Sequence, residues 1–462
     1  MDERDARDKT HSVMSGRAVP GPPYRWFGLR EIRGMAGDYL GFMREQQRRY
    51  GDVVAVKIFG IQSYLLFHPE HVREALVNSH ESIVRFERGP RVFSDAHGQS
   101  VLVAEGQDWK NKRRALQPGF SPRRVEAFAP LMVAAFETAL GTWPKQARFE
   151  LDFEQAMTQA TMDVIMRTLF SSDADADARA AEVAVRDLTE EGNREMFWPR
   201  TAPSWMPWKA KKRRAIAMLD GLIRRHIAAR AARPDCEDGD DLLAMLMQLR
   251  TEDGQRAFAG EALRDECMTI FLAGHETSAT SLAWWGWCMA AHPEIAVLAA
   301  DEVNAQLGHR APSFADIAQM PYLTQTIKES LRRYPSVPAL LSRKATRELV
   351  LGGTRIPRGS MLQITPGLMQ NDARWFPEPD AFRPERFAAD APEVPRGAWM
   401  PFGAGPRVCL GSHFALTEIT LIAAMLLQRF NFAPVPGRAE PEPVLNITLR
   451  PRERLRLVLQ RR

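Results

Sequence analysis

Residues 402–411, FGAGPRVCLG, set one cysteine in a loop with three glycines and a proline, immediately before the helical apolar run 412–429. Gly405 and Gly411 supply backbone room there, so loop amides can point at the sulfur. The positive end of the following helix favours a thiolate over a thiol. Taken together, Phe402, Gly405, Arg407, Cys409 and Gly411 occur by chance at a frequency on the order of 10⁻⁴ in a chain this long. A structural cysteine in a turn needs no such company. This loop therefore constrains the chain more than any other stretch.

The rest of the sequence is dominated by helical periodicity, with helices expected near 36–50, 107–116, 122–141, 152–169, 209–231, 258–291, 293–307, 320–333 and 412–429. Alternating or β-branched pieces at 53–58, 63–67 and 455–459 predict a minor sheet near the ends. From 334 to 411 proline and glycine recur every few residues, which describes an irregular region broken by small strands. The fold class is mainly α with a minor β portion. At 462 residues and 45% apolar content the chain can bury one large domain or two closely fused lobes. No linker splits off a second catalytic domain, so residues 20–462 are expected to form one domain behind a loosely ordered tail, 1–19, which runs into Pro20-Gly-Pro-Pro23.

Charge and cysteine usage exclude several classes. Sixty-two basic against 57 acidic residues is a nearly balanced surface rather than a nucleic-acid footprint. Cys236, Cys267, Cys288 and Cys409 fall in no C-x-x-C pair and no zinc spacing, which points to a reducing compartment. No apolar run reaches the roughly 18–20 residues of a membrane span, and the N-terminus lacks the apolar core of a secretion signal. His275-Glu276-Thr277-Ser278-Ala279 begins like a zinc-protease helix but has alanine where the second histidine must stand. Gly403-Ala404-Gly405 lacks the third glycine of a dinucleotide loop. Asn446-Ile447-Thr448 fits a glycosylation pattern without a secretion signal, and His68 and His71 read as ordinary surface histidines.

The cysteine loop resembles the haem-binding loop of the cytochrome P-450 family, and three further segments match the family in the same order. The resemblance implies a triangular helical prism with small β-sheets around haem b, and Cys409 as the axial ligand of the iron. It implies that Arg407 pairs with a haem propionate, and that Phe402 packs beside the loop and limits water at the sulfur. Glu329 and Arg332 lie at i and i+3 on one helix face; in the family this pair locks with the arginine of a P-E-R-F segment, here Arg386. Trp109 and Arg113 lie at i and i+4, so that an indole N–H and a guanidinium point at one anionic group, by resemblance a propionate. Arg343 matches another propionate-reaching position. Ala273-Gly274-His275-Glu276-Thr277 looks like the family's oxygen-binding groove. The small Ala273 and Gly274 would let the helix approach the haem, while Glu276 and Thr277 form an acid and alcohol pair for proton delivery.

The activity implied is a monooxygenase inserting one atom of O₂ into a lipophilic molecule. An O₂-independent isomerase, dehydratase or peroxygenase and a non-catalytic haem sensor are the alternatives, and the intact Glu276-Thr277 pair weighs against both. Electrons from NAD(P)H are expected through a separate ferredoxin or flavodoxin and its reductase, docked near Lys110, Lys112 and Arg114. Phe86, Phe93, Leu340 and Leu445 are the expected pocket walls, and the loop 196–208, rich in tryptophan, lines an entrance or packs on the core. Residues 61–64 offer a phenol but no arginine to hold a fatty-acid carboxylate, so a terpenoid or polyketide-type substrate is as well supported as a fatty acid. The setting expected is cytoplasmic, with no membrane anchor and no nucleic acid.

Overall fold

In the computed structural model, which describes residues 19–172, 176–197, 203, 205–233, 240–251 and 254–462, the run expected at 258–291 is one helix of 31 residues. It is buried on nearly every side, as a helix with apolar residues all round must be. The tail 1–18, Trp198 and Cys236 lie outside the described residues.

The helices that position the site are α1 (Leu29–Gly37), α2 (Tyr39–Tyr50), α3 (Gly106–Leu116), α4 (Phe153–Phe170), α5 (Ala176–Phe197), α6 (Glu261–Ala291), α7 (Pro321–Arg333) and α8 (Ser412–Arg429). The strands are β1 (Val53–Ile58), β2 (Ile61–Leu66), β3 (Ile83–Arg85), β4 (Arg343–Ala345), β5 (Met361–Ile364), β6 (Pro443–Asn446) and β7 (Thr448–Pro451). The sequence predicts one helix over 36–50, but the chain breaks at Asp38, whose extended backbone lets its carboxylate accept from the Gly41 amide at 2.9 Å and start α2 afresh. Among the helices not predicted, the two longest bear on the site. Arg88–His97 carries Phe93, one of the expected pocket walls, and α5 takes up Met196 and Phe197 of the expected tryptophan-rich loop.

The larger sheet runs β1-β2-β5-β4-β3, with β2 parallel to β5 and the other pairs antiparallel. Its register sets Arg85 directly opposite Arg343. A separate hairpin pairs β6 with β7, Leu445 facing Leu449.

Two large apolar clusters meet on α6. One gathers its first half, including Cys267, Phe271 and Leu272; the other gathers its second half, including Leu282, Trp284 and Trp285. Residues 273–278 belong to neither. The helix is thus fixed at both ends by core packing and carries a polar turn in between. It lies close on α4: a Cβ at Gly286 would fall 2.2 Å from Phe153 Cε1, and one at Gly274 would fall 2.9 Å from Ile165 Cδ1.

Candidate haem-thiolate site

The cysteine loop is shaped by its own backbone. The Cys409 amide donates to Phe402 O at 2.9 Å and the Val408 amide to Gly405 O at 3.0 Å. Gly403 and Gly405 adopt φ of +77° and +72°, and a Cβ on Gly405 would sit 2.0 Å from Leu76 O, so glycine is obligatory there on two counts. Gly411 differs, with an ordinary φ and no atom within 4 Å of where its Cβ would be. Cys409 is exposed on a cavity of about 570 Å³ lined by Arg113, Phe120, Val408, Leu410 and His413. Desolvation raises the thiol above its ordinary range, while the Gly411 amide and the Arg113 guanidinium pull it down.

Beside the loop, three guanidiniums gather around one carboxylate, and two of them pair with it. Arg407 Nη2 lies 2.5 Å from Glu105 Oε2, and Arg85 Nη1 lies 3.7 Å from Glu105 Oε1. Arg343, facing Arg85 across the sheet, donates to Leu341 O. Burial, with the neighbouring arginines adding to it, depresses Arg85 to about 9 and Arg343 to about 10. Arg85 Nε is buried without a partner. Two positive charges are therefore in excess in a desolvated place, which is the environment two carboxylates of a bound group would neutralise. Arg407 also lies over the Trp109 ring, 4.2 Å from its centroid.

These facts separate Trp109 and Arg113, which the sequence aimed at one anion. Trp109 meets Arg407, whereas Arg113 Nη1 donates to Val408 O at 2.9 Å and braces the cysteine loop. Lys112 also departs from expectation. It is turned inward to within 3.7 Å of buried Glu266, leaving Lys110 and Arg114 exposed on that helix. Glu266 accepts from the Val101 amide at 2.9 Å and 3.1 Å, and burial pushes its carboxyl up to about 7.

On α6 the turn 273–277 attracts hydroxyl groups. Thr277 Oγ1 donates to Ala273 O at 2.8 Å, Thr161 Oγ1 of α4 to His275 O at 3.0 Å, and Ser281 Oγ and Ser336 Oγ to Thr277 O at 2.9 Å and 3.0 Å. Ala273 is exposed and Thr277 half-buried, but Gly274 faces Ile165 of α4, so its missing side chain serves helix packing. Glu276 is not brought to Thr277. One of its oxygens accepts from Thr448 Oγ1 at 2.8 Å and Arg450 Nη2 at 3.0 Å, and the other from Thr189 Oγ1 of α5 at 3.0 Å. Consecutive helix residues point about 100° apart; β7 and α5 hold the carboxylate on its own side. Thr448, part of the discarded glycosylation look-alike, is thereby a buried partner of this acid.

Glu329, Arg332 and Arg386 meet as the spacing suggests. Arg332 grips Glu329 through Nε at 2.7 Å and Nη2 at 3.0 Å, and Arg386 Nε reaches Glu329 Oε1 at 3.3 Å. Arg332 also donates to Gln370 O and Pro379 O, both at 2.8 Å, which ties α7 to the irregular segment leading into the cysteine loop.

Among the expected pocket walls, Leu340 lies 3.8 Å from the Cβ position of Gly403, and the Phe86 amide donates to Ser342 O at 2.8 Å, so both sit near the sheet end of the site. Phe93 packs against His97 at 5.6 Å. Leu445 instead lines a second cavity of about 460 Å³ with Glu154, Glu182, His275 and Arg450. Arg85, Glu105, Thr161 and Arg450 were not singled out from the sequence. Each acts through a partner remote in the chain, and no local spacing marks it.

Comparison with known proteins adds relatives to this geometry. The family described as Cytochrome P450 matches residues 19–458. Cyclooctatin synthase of Streptomyces melanosporofaciens is 33% identical over 411 residues, covering 87% of this chain and 88% of that protein. Cyclooctat-9-en-7-ol 5-monooxygenase of the same organism is 34% identical over 84% of each, and pentalenene oxygenase of Streptomyces avermitilis 28% identical over 98% of each. Retinoic acid-bound cyanobacterial CYP120A1 superposes with a TM-score of 0.83 at 24% identity, over 96% of this chain and 99% of that one.

Proposed function

The chain belongs to the cytochrome P450 family, and from that premise we propose that it oxidises a cyclic terpenoid at a site built from Cys409, the arginine cluster and Thr277. The protein is a haem-dependent cytochrome P450 monooxygenase acting on a lipophilic small molecule. The observation that carries the site reading is a cysteine fixed by backbone bonds next to three clustered guanidiniums, two of which pair with one carboxylate. When bound, haem would supply the O₂-activating redox chemistry, one oxygen atom going to the substrate and the other leaving as water with two electrons from the redox partner and two protons.

The chain's own groups divide the remaining work. Cys409 would supply the axial thiolate, favoured by the Gly411 amide and Arg113. Arg85, Arg343, Arg407 and Trp109 would hold the two propionates, with Gly411 leaving room for the flat ring. Phe402 and Leu410 would exclude water near the sulfur. Thr277 Oγ1 would exchange its bond to Ala273 O for one to water and hold a proton there. Glu276 would replenish that proton, a task that requires it to leave Arg450.

Substrate class rests on half-buried Phe86, Phe93 and Leu340, on Leu445 of the hairpin, and on relatives named for cyclooctat-9-en-7-ol and pentalenene. Electrons would come from NAD(P)H through a separate ferredoxin or flavodoxin with its reductase, steered by exposed Lys110 and Arg114. The setting would be cytoplasmic, where Cys267 and Cys288 stay unpaired thiols. Two spectra test the proposal. The reduced carbon monoxide complex should show the absorption diagnostic of thiolate ligation and lose it in Cys409→Ser; a histidine-type spectrum sinks the site. Cyclic terpenoids should shift the haem spin state where fatty acids of equal carbon number do not, and the reverse preference removes the substrate class.

A further inference from the structure

Away from this site, the start of the described chain shows large apolar groups to water. Trp26 is 82% exposed and Phe27 70%, and Tyr24, Leu29, Phe59 and Ile61 are exposed too. The six come from two segments, residues 24–29 and the β1–β2 turn, joined by the Phe59 amide donating to Phe27 O at 2.9 Å and by Gly28, whose Cβ would lie 2.5 Å from Lys57 O. They form one surface.

The backbone is strained to keep it so. Trp26, Phe27 and Phe59 have φ of +49°, +56° and +48°, three of the six non-glycine residues with positive φ among those described. Bulky side chains avoid this region because the Cβ crowds the backbone there. Relaxing it would turn the aromatic rings elsewhere, so the strain maintains a display that water alone disfavours.

The rim is cationic. Arg25, Arg30, Arg33 and Lys57 are exposed and make no ion pair among the described residues, Lys57 instead lying 5.1 Å from the centroid of the Tyr24 ring. The single acid in 19–33 and 57–61, Glu31, is buried. Tryptophan and phenylalanine beside arginine and lysine, with no exposed acid, match the interfacial zone of an anionic bilayer, where amphipathic rings lie among headgroups and cations pair with phosphates. No helix among the described residues is long and apolar enough to cross a membrane. We infer that this surface docks the protein peripherally on anionic lipid. A lipophilic substrate concentrated in the bilayer would then reach the protein without crossing water. The docking surface does not depend on which substrate that is.

Flotation of the full-length holoprotein with vesicles of phosphatidylcholine, with and without one third phosphatidylglycerol, tests it. The protein should float with the anionic vesicles at low salt, stay behind with the neutral ones, and be released by high salt. Arg25→Gln with Arg30→Gln should weaken partitioning about 30-fold, and Trp26→Ser with Phe27→Ser should abolish it, both with an unchanged carbon monoxide spectrum. Absence of flotation, equal flotation with neutral vesicles, or binding that survives both double variants overturns the inference. So does sedimentation showing self-association that Trp26→Ser with Phe27→Ser removes, since the surface would then belong to a second copy of the chain.

Discussion

The cysteine loop and the 273–277 turn of α6 are built in opposite ways. In the loop, glycines in left-handed conformations and two short backbone bonds fix where Cys409 points, and Arg113 braces the result. The α6 turn is regular helix. Its character comes from side chains delivered by other elements: Thr161 from α4, Ser336 from the segment after α7, Thr189 from α5 and the β6–β7 hairpin through Thr448 and Arg450. One half is set by local chain geometry and the other by tertiary assembly. Damage to the first should act through the backbone, and damage to the second through individual polar partners.

The sharpest break is expected at Gly405. Alanine there must hold a positive φ and meet Leu76 O, so Gly405→Ala should destabilise the protein by roughly 3 kcal/mol and prevent haem retention. Gly411→Ala, with open space and an ordinary φ, should leave denaturant stability of the haem-free chain within about 0.5 kcal/mol yet lower haem retention. Equal effects of the two on the haem-free chain would erase the distinction between a backbone-determined glycine and a cofactor-facing one. On α6, Arg450→Met removes a partly buried cation from Glu276 and should cost about 2 kcal/mol by denaturant titration. Thr448→Val should cost about 1 kcal/mol.

The same contrast explains what the sequence disclosed. FGAGPRVCLG, Glu329-Ser-Leu-Arg332 and the long apolar helix carry their geometry in local spacing, and the structure reproduces the helices and minor strands expected around them. Arg85 sits in a three-residue strand with no pattern of its own, and acquires meaning only from the register that opposes it to Arg343. Glu276 stands next to Thr277 in the chain, which suggested a pair; its hydroxyl partners lie 87 and 172 residues away, and Arg450 lies farther still. Gly274 looked like an opening toward a cofactor because Ile165 of α4 cannot be anticipated from the helix itself. Helix–helix packing and charge sharing are long-range properties, and local pattern does not report them.

Thr277→Ala tests the α6 half at the level of chemistry. The helix should survive, since alanine is the better helix former and only the bond to Ala273 O is lost. Haem binding and the thiolate spectrum should be intact, while the fraction of NAD(P)H consumed that appears as product falls on the order of 10-fold, with peroxide formed instead. Thr277→Ser should restore most of the coupling. Unchanged coupling in Thr277→Ala would leave the hydroxyl with a packing role alone.

An effect that depends on pH is expected where the two halves touch. Glu418 lies on α8, the helix that follows the cysteine loop, and is fully buried against Ser278 of α6; burial pushes its carboxyl up to about 8. The folded protein then keeps a proton that the unfolded chain releases at the ordinary value of 4.5. Between those values the native state binds more protons, so this group's contribution to stability is full below the lower value and declines as pH rises through the window. Glu418→Gln abolishes the titration while keeping an amide to meet Ser278. It should therefore come close to the parent protein near pH 5 and exceed it near pH 8, by roughly 3 kcal/mol. Glu266, raised to about 7, titrates in the same range in both proteins and cancels in the difference. If the parent and the variant lose Tm in parallel from pH 5 to pH 8, Glu418 is ionised in the fold. The contact between α8 and α6 would then contain a charge that neither half supplies a partner for.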